Sequence, residues 1–152
     1  MKCPIYGGLR VKIRVYYEDT DAGGIVYHSR YLNFCERARS EEFFRRGMQP
    51  VGEGHSGFVV RRIDADFTGM AKLGDLLEVR TRVLEETRSS VLLQQSIHRE
   101  AEEIFSMKIL LVYVVEGRPR RIPPELAEPI RELGNTTKTI RKSSRDLLEG
   151  RD

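Results

Sequence analysis

One long helix-patterned segment stands alone among strand-patterned ones, and that imbalance limits the fold more than any other feature of the chain. Tyr31, Phe34, Cys35 and Ala38 recur at helical spacing, with Leu32 flanking the stripe. Arg37, Arg39, Glu41, Glu42 and Arg45 take the outer face. Ser29 reads as an N-cap and Gly47 as the stop, which predicts one long helix over about residues 29–46. Before it, Val11, Ile13, Val15 and Tyr17 alternate with Lys12, Arg14 and Tyr16. That alternation predicts a half-buried strand with Tyr17 on its apolar face. After a loop at 49–57, residues 58–67, 77–83, 91–98 and 104–115 read as four strands, with a charged turn near 100–103. Their short connections predict an antiparallel meander. A single amphipathic helix must bury its stripe against one sheet face. The predicted class is therefore α+β, an antiparallel β-sheet wrapped around one long central helix. Such a sheet keeps long edges and a partly uncovered face, which predicts a dimer that extends or stacks sheets.

The chain has 152 residues, enough for one domain with a core that needs no disulfide or metal. Residues 1–123 carry that domain, and 124–152 read as a short helix followed by a charged, loosely held tail. No internal repeat is visible. Cys3 and Cys35 lie far apart, and Cys35 sits on the apolar helix face, so a buried free thiol and a reducing cytoplasm are expected. No segment has the roughly 20 apolar residues of a membrane span, and the N-terminus lacks the apolar run of a signal peptide. The net charge of +3 is compatible with an anionic substrate but too diffuse to indicate nucleic-acid binding.

The chemistry gathers between the first strand and the helix. Residues 19–24, Asp19-Thr20-Asp21-Ala22-Gly23-Gly24, are turn residues, and the two glycines allow close approach of backbone to a ligand. Asp21 reads either as a solvated turn aspartate or as a general base or nucleophile. His28 stands just before the helix, where unsatisfied N–H groups can polarise a carbonyl and hold an oxyanion. Its imidazole can orient a substrate or move a proton near neutral pH. Tyr17 reads as a core aromatic or as a hydrogen-bond donor to the carboxylate or to water. Glu18 and Asp19 are expected to be solvated, and Glu36 to pair with Arg37, Arg39 or a strand. A calcium loop starting at Asp19 would need glutamate at its twelfth position, which is Arg30. No spacing supports zinc, and His55 and His98 are read as structural or surface residues. No cofactor is expected.

The run from Tyr17 to His28, continued through Tyr31, Phe34 and Glu36-Arg37-Ala38-Arg39, resembles the signature of the hotdog-fold acyl-CoA thioesterases. The nearest branch is the YbgC-like, Tol-Pal-associated group, related to 4-hydroxybenzoyl-CoA thioesterase. The resemblance reaches loosely to about Pro123 and excludes the tail. It implies a hotdog fold, hydrolysis of acyl-CoA to a free acid and CoA, and a site between subunits of a homodimer or homotetramer. By the same resemblance Asp21 is the catalytic nucleophile or general base. The backbone amide of His28 meets the thioester carbonyl, its side chain assists, and Tyr17 completes the set. Arg61, Arg62, Lys72 and Arg88 are the candidates for the CoA phosphates. Tyr27, Tyr31, Phe34 and Phe58 are the candidates for the acyl pocket.

Two rivals remain at this level. One is related thioester chemistry, including hydrolysis of an acyl carrier protein; a hydratase motif is not seen. The other is a non-enzymatic module that binds acyl groups or an envelope-associated protein, docking through Lys138, Arg141, Lys142 and Arg145 of the tail.

Overall fold

The computed structural model describes residues 9–133. The chain runs β1 (Leu9–Arg14), a 3-10 turn (Tyr17–Asp19), α1 (Arg30–Arg45), β2 (Ser56–Phe67) and β3 (Leu76–Glu86). It continues through β4 (Ser90–Arg99), β5 (Glu102–Val115), a two-residue β6 (Arg118–Pro119) and α2 (Pro124–Leu133). The strands form one antiparallel sheet in the order β1-β3-β4-β5-β2, with β6 paired to β5. The fold class read from the sequence is the one observed.

The four-strand meander is corrected to three. β3, β4 and β5 follow one another, but β2 pairs with β5 at the far edge, from Ser56 opposite Val115 to Phe67 opposite Phe105. The reason lies in α1, which joins β1 to β2. The two strands flanking the helix in sequence end on opposite edges of the sheet. The 68–75 loop then carries the chain back to β3, and the Thr68 and Gly69 N–H groups donate to the Ile104 carbonyl at 3.0 Å on the way.

Helical spacing put Tyr31, Phe34, Cys35 and Ala38 on one stripe, and all four are buried. They meet alternate residues of the sheet, including Leu77 and Val79 of β3, Leu93 and Ile97 of β4, and Phe105 and Ile109 of β5. Tyr31 stacks on Phe105 with ring centroids 5.3 Å apart. Two buried polar side chains, Gln95 and Thr81, meet under the helix. Gln95 donates to the Cys35 carbonyl at 3.0 Å and to Thr81 Oγ1 at 2.8 Å, and accepts from Arg39 at 3.0 Å. Those three bonds offset the cost of burying an amide in an apolar layer. Cys35 is a buried free thiol, as expected. α2 shares the same core through Leu126, Ala127, Ile130 and Leu133. Cys3 and the basic tail residues lie outside the described residues. Among the described residues, no helix is long and apolar enough to cross a membrane.

Candidate active site

The first strand stops earlier than its alternation predicts. β1 ends at Arg14, and Tyr16 enters a 3-10 turn in extended conformation. The Asp19 carboxylate accepts the Tyr16 N–H at 2.9 Å, while the Thr20 N–H and hydroxyl both bond the Tyr17 carbonyl. This curl corrects two expectations. Tyr17 leaves the apolar face and is 82% exposed. Asp19, expected in solvent, is 1% exposed and stands 3.5 Å from the Arg30 guanidinium. Arg30 also donates to the Glu18 carbonyl at 2.8 Å, so the first residue of α1 clamps the turn before it.

Residues 19–27 close as a small hairpin. The Tyr27 N–H donates to the Asp19 carbonyl at 3.0 Å, Thr20 bridges Val26, and the Asp21 N–H donates to the Ile25 carbonyl at 2.9 Å. Gly24 takes a φ of +84°, which favours glycine at the tip. Asp21 Oδ1 accepts the Gly23 N–H at 2.8 Å and the Ile25 N–H at 3.4 Å. A Cβ at Gly23 would stand 3.3 Å from that oxygen, so the glycine makes room for the carboxylate. Asp21 is exposed, and its Oδ2 has no hydrogen-bond partner among the described residues. One oxygen is thus oriented by the backbone and the other is available for chemistry.

The hairpin leads into α1 with two free donors. The Arg30 N–H reaches back to the Tyr27 carbonyl at 2.8 Å, and the Leu32 N–H to the Ser29 carbonyl at 3.2 Å. The N–H groups of His28 and Ser29 bond no described residue. Ser29 occupies the N-cap position as predicted, but its side chain makes no capping bond. At the positive end of the helix dipole these amides are therefore unspent among the described residues, an arrangement that favours a developing oxyanion. The His28 imidazole is exposed and lies against the Tyr27 ring at 4.4 Å. No hydrogen bond joins Tyr17, Asp21 and His28 side chains to one another among the described residues. Asp21 sits on the hairpin, His28 follows its last residue at the entry to α1, and Tyr17 precedes it in the exposed 3-10 turn.

Residues that sequence reasoning passed over hold this arrangement. The Ala71 carbonyl accepts the Val26 N–H at 2.9 Å, and Ile25 bridges Lys72. The Ala71 N–H donates to the Tyr31 hydroxyl at 3.1 Å. Asp75 accepts the Lys72 N–H at 2.9 Å and pairs with Arg99 at 3.1 Å. The 68–75 loop is thereby tied to hairpin, helix and strand end together.

Within the single chain the four candidates for the acyl pocket lie apart. Tyr31 and Phe34 are packed in the core, Tyr27 is exposed, and Phe58 lines a cavity at the other end of the helix. Glu36 accepts the Ser40 hydroxyl at 2.8 Å rather than pairing with a strand. Of the basic candidates, Lys72 stands beside the hairpin. Arg61 and Arg62 lie exposed at the β2 bulge, and Arg88 sits in the β3–β4 turn, away from the hairpin. His98 is buried, as the structural reading allowed.

Comparison with known proteins gives the family of the chain. Residues 15–130 match the family described as the thioesterase-like superfamily. The acyl-CoA thioesterase YbgC of Helicobacter pylori is 50% identical over 88 residues, 58% of this chain and 65% of that protein. The chain thus matches just under two thirds of that relative's length. The acyl-CoA thioesterase YbgC of Haemophilus influenzae is 37% identical over 133 residues, 83% of this chain and 96% of the relative. Among solved structures, a thioesterase from Thermus thermophilus complexed with coenzyme A and Zn superposes with a TM-score of 0.71 at 30% identity. That match covers 86% of this chain and 98% of the other.

Proposed function

The chain belongs to the thioesterase-like superfamily, and from that premise we propose that it hydrolyses acyl-CoA thioesters to a free acid and CoA. The observation that carries the reading is the pairing of an oriented carboxylate with unspent amides. Asp21 is held through Oδ1, and the His28 and Ser29 N–H groups stand free at the start of α1. The substrate carbonyl oxygen takes those amides and its carbon becomes electrophilic. Asp21 Oδ2 then either removes a proton from an attacking water or attacks the carbon itself. The tetrahedral intermediate collapses and the C–S bond breaks; on the general-base route the CoA sulfur takes the proton that Asp21 removed from water, and on the direct route it leaves as the thiolate and is protonated when water attacks later. On the direct route, water then hydrolyses the Asp21 anhydride. The His28 imidazole and the Tyr17 hydroxyl position water and thioester. No cofactor takes part in either route.

The site is completed by a second copy of the chain. β2 is an edge strand of 12 residues with apolar side chains left in solvent: Val59 is 47% exposed, Val60 50%, Ile63 37% and Phe67 51%. A long apolar edge of this kind calls for a partner strand. Pairing two β2 strands about a two-fold axis normal to the sheet makes them antiparallel and keeps both α1 helices on one face. The exposed Tyr17 and Tyr27 rings then face a neighbour rather than water. Lys72, beside the hairpin, is the basic residue best placed to meet CoA phosphate. A CoA thioester as substrate favours the cytoplasm as the site of reaction.

The test is release of free thiol from acyl-CoAs of acetyl to palmitoyl length and of benzoyl type, with Asp21→Asn in parallel. Removal of the carboxylate is expected to lower turnover by roughly 10²–10⁴-fold. Undiminished turnover by folded Asp21→Asn, or silence of the folded wild type across the whole panel, would overturn the reading.

A further inference from the structure

A cavity of about 200 Å³ lies between α1, α2 and the sheet, away from the reactive hairpin. Phe43 of α1, Phe58 and Val60 of β2, Leu93 of β4, and Ile130 and Leu133 of α2 give it an apolar lining. Its polar wall is already engaged. Glu36 holds the Ser40 hydroxyl, Arg39 holds Gln95, and Glu36 acts on Arg39 as an opposing charge. Such a wall offers no net charge, which suits a neutral, apolar occupant.

We propose that this cavity receives the acyl tail of a substrate whose thioester is held by the partner protomer, and that α2 sets the length of tail accepted. The inference rests on the thioesterase reading and on β2 pairing with its copy. Within one protomer the route is closed. Tyr31 stacked on Phe105, with Phe34 at 6.2 Å from Tyr31, fills the space below the helix start. Phe43 also lies 13 residues beyond Arg30, about 20 Å along the helix axis. Across the two-fold the distance collapses. Tyr31 touches Phe67 with ring centroids 5.8 Å apart, so the helix start stands at the last residue of β2. Phe58 and Val60 belong to the opposite end of the same strand. Antiparallel pairing sets the end of one β2 beside the beginning of the other. The helix start of one protomer thereby meets the cavity mouth of its partner, where Val60 is half exposed.

α2 closes the far side. It is anchored by its own buried face and by the Arg131–Glu86 pair at 3.3 Å. Ile130 and Leu133 present side chains to the cavity, so their size limits its depth. Each further methylene that finds room is expected to raise kcat/KM about fourfold, and each one excluded to lower it similarly.

The experiment measures kcat/KM along an even-carbon acyl-CoA ladder, acetyl to palmitoyl, for wild type, Ile130→Ala and Ile130→Phe. Ile130→Ala is expected to move the optimum to longer chains and to raise the ratio of the longer to the shorter neighbour, two methylenes apart, about fifteenfold. Ile130→Phe is expected to move it to shorter ones. Unshifted profiles in folded variants overturn the proposal while leaving the thioesterase reading intact. Where Ile130→Ala fails to fold by circular dichroism, Ile130→Val makes the same comparison with a smaller shift, and a flat response there overturns it equally. A wild type silent on the whole ladder overturns the thioesterase reading itself, and this inference with it.

Discussion

The Tyr31 hydroxyl accepts the Ala71 backbone N–H at 3.1 Å inside the core. This bond ties the first turn of α1 to the loop whose next acceptor, the Ala71 carbonyl, holds the reactive hairpin through Val26 at 2.9 Å. Tyr31→Phe keeps the ring on Phe105 but leaves a buried N–H without a partner. The expected loss is about 1–3 kcal/mol of stability. Urea unfolding measures it, and kcat is expected to fall with it as the hairpin loosens.

The β2 edge gives a second prediction. Ile63 lies mid-strand, near the expected two-fold axis, and is partly exposed in the single chain. Ile63→Lys places like charges opposite each other across the pairing, which costs several kcal/mol at an interface. Sedimentation is expected to report a monomer that retains its circular dichroism and has lost most of its turnover. An active monomer would sink the shared-site arrangement.

Cys35 gives a prediction at alkaline pH. Burial pushes its thiol up to about 12, partly opposed by the nearby Arg39 charge. The unfolded thiol ionises at its ordinary value near 9.0, whereas the folded thiol keeps its proton. Between those values the unfolded state binds fewer protons, so stability falls as pH rises, with a limiting slope of about 1.4 kcal/mol per pH unit. Denaturant titrations from pH 8 upward in wild type and Cys35→Ala are expected to differ in slope accordingly. The thiol is also expected to react with alkylating reagents only on unfolding.

His98 behaves in the opposite direction. Burial lowers its pKa, as do Arg80 and Arg10, against the opposing pull of Glu103 and Glu78. Its Nε2 is 2.9 Å from the Ser96 hydroxyl, while Nδ1 is buried with no hydrogen-bond partner among the described residues. The folded state keeps the ring neutral after the unfolded chain has begun to protonate near its ordinary 6.5. Stability is therefore full above that pH and declines as pH falls through the folded value. His98→Gln is expected to flatten the decline below about pH 6.5 in thermal unfolding.

The helix was the most legible element. Its stripe at Tyr31, Phe34, Cys35 and Ala38 follows from the α-helical repeat alone, and Gly47, with a φ of +73°, ends it where expected. Asp21 and His28 were legible as candidates because turn glycines and a helix start leave a chemical trace in the local sequence. Tyr17 and Asp19 were misread for the same reason. Alternation cannot register that a carboxylate three residues on captures the Tyr16 N–H and turns the chain out of the sheet. The bond of Ala71 to Tyr31 and the pairing of Asp75 with Arg99 had no local trace, since each joins residues far apart in sequence.

Side-chain periodicity and turn chemistry act over a few residues. The sequence by itself therefore determined the elements, the single helix that needs a sheet to cover it, and the loop that carries the carboxylate. Which strand lies beside which depends on long-range pairing, and that was decided only in the folded chain. β2 goes to the far edge because α1 must cross the sheet before it, and this leaves Val60, Ile63 and Phe67 exposed along an open strand. The tertiary structure also decided that the hairpin is held from outside by the 68–75 loop, and that a cavity opens at the end of the helix away from its free amides.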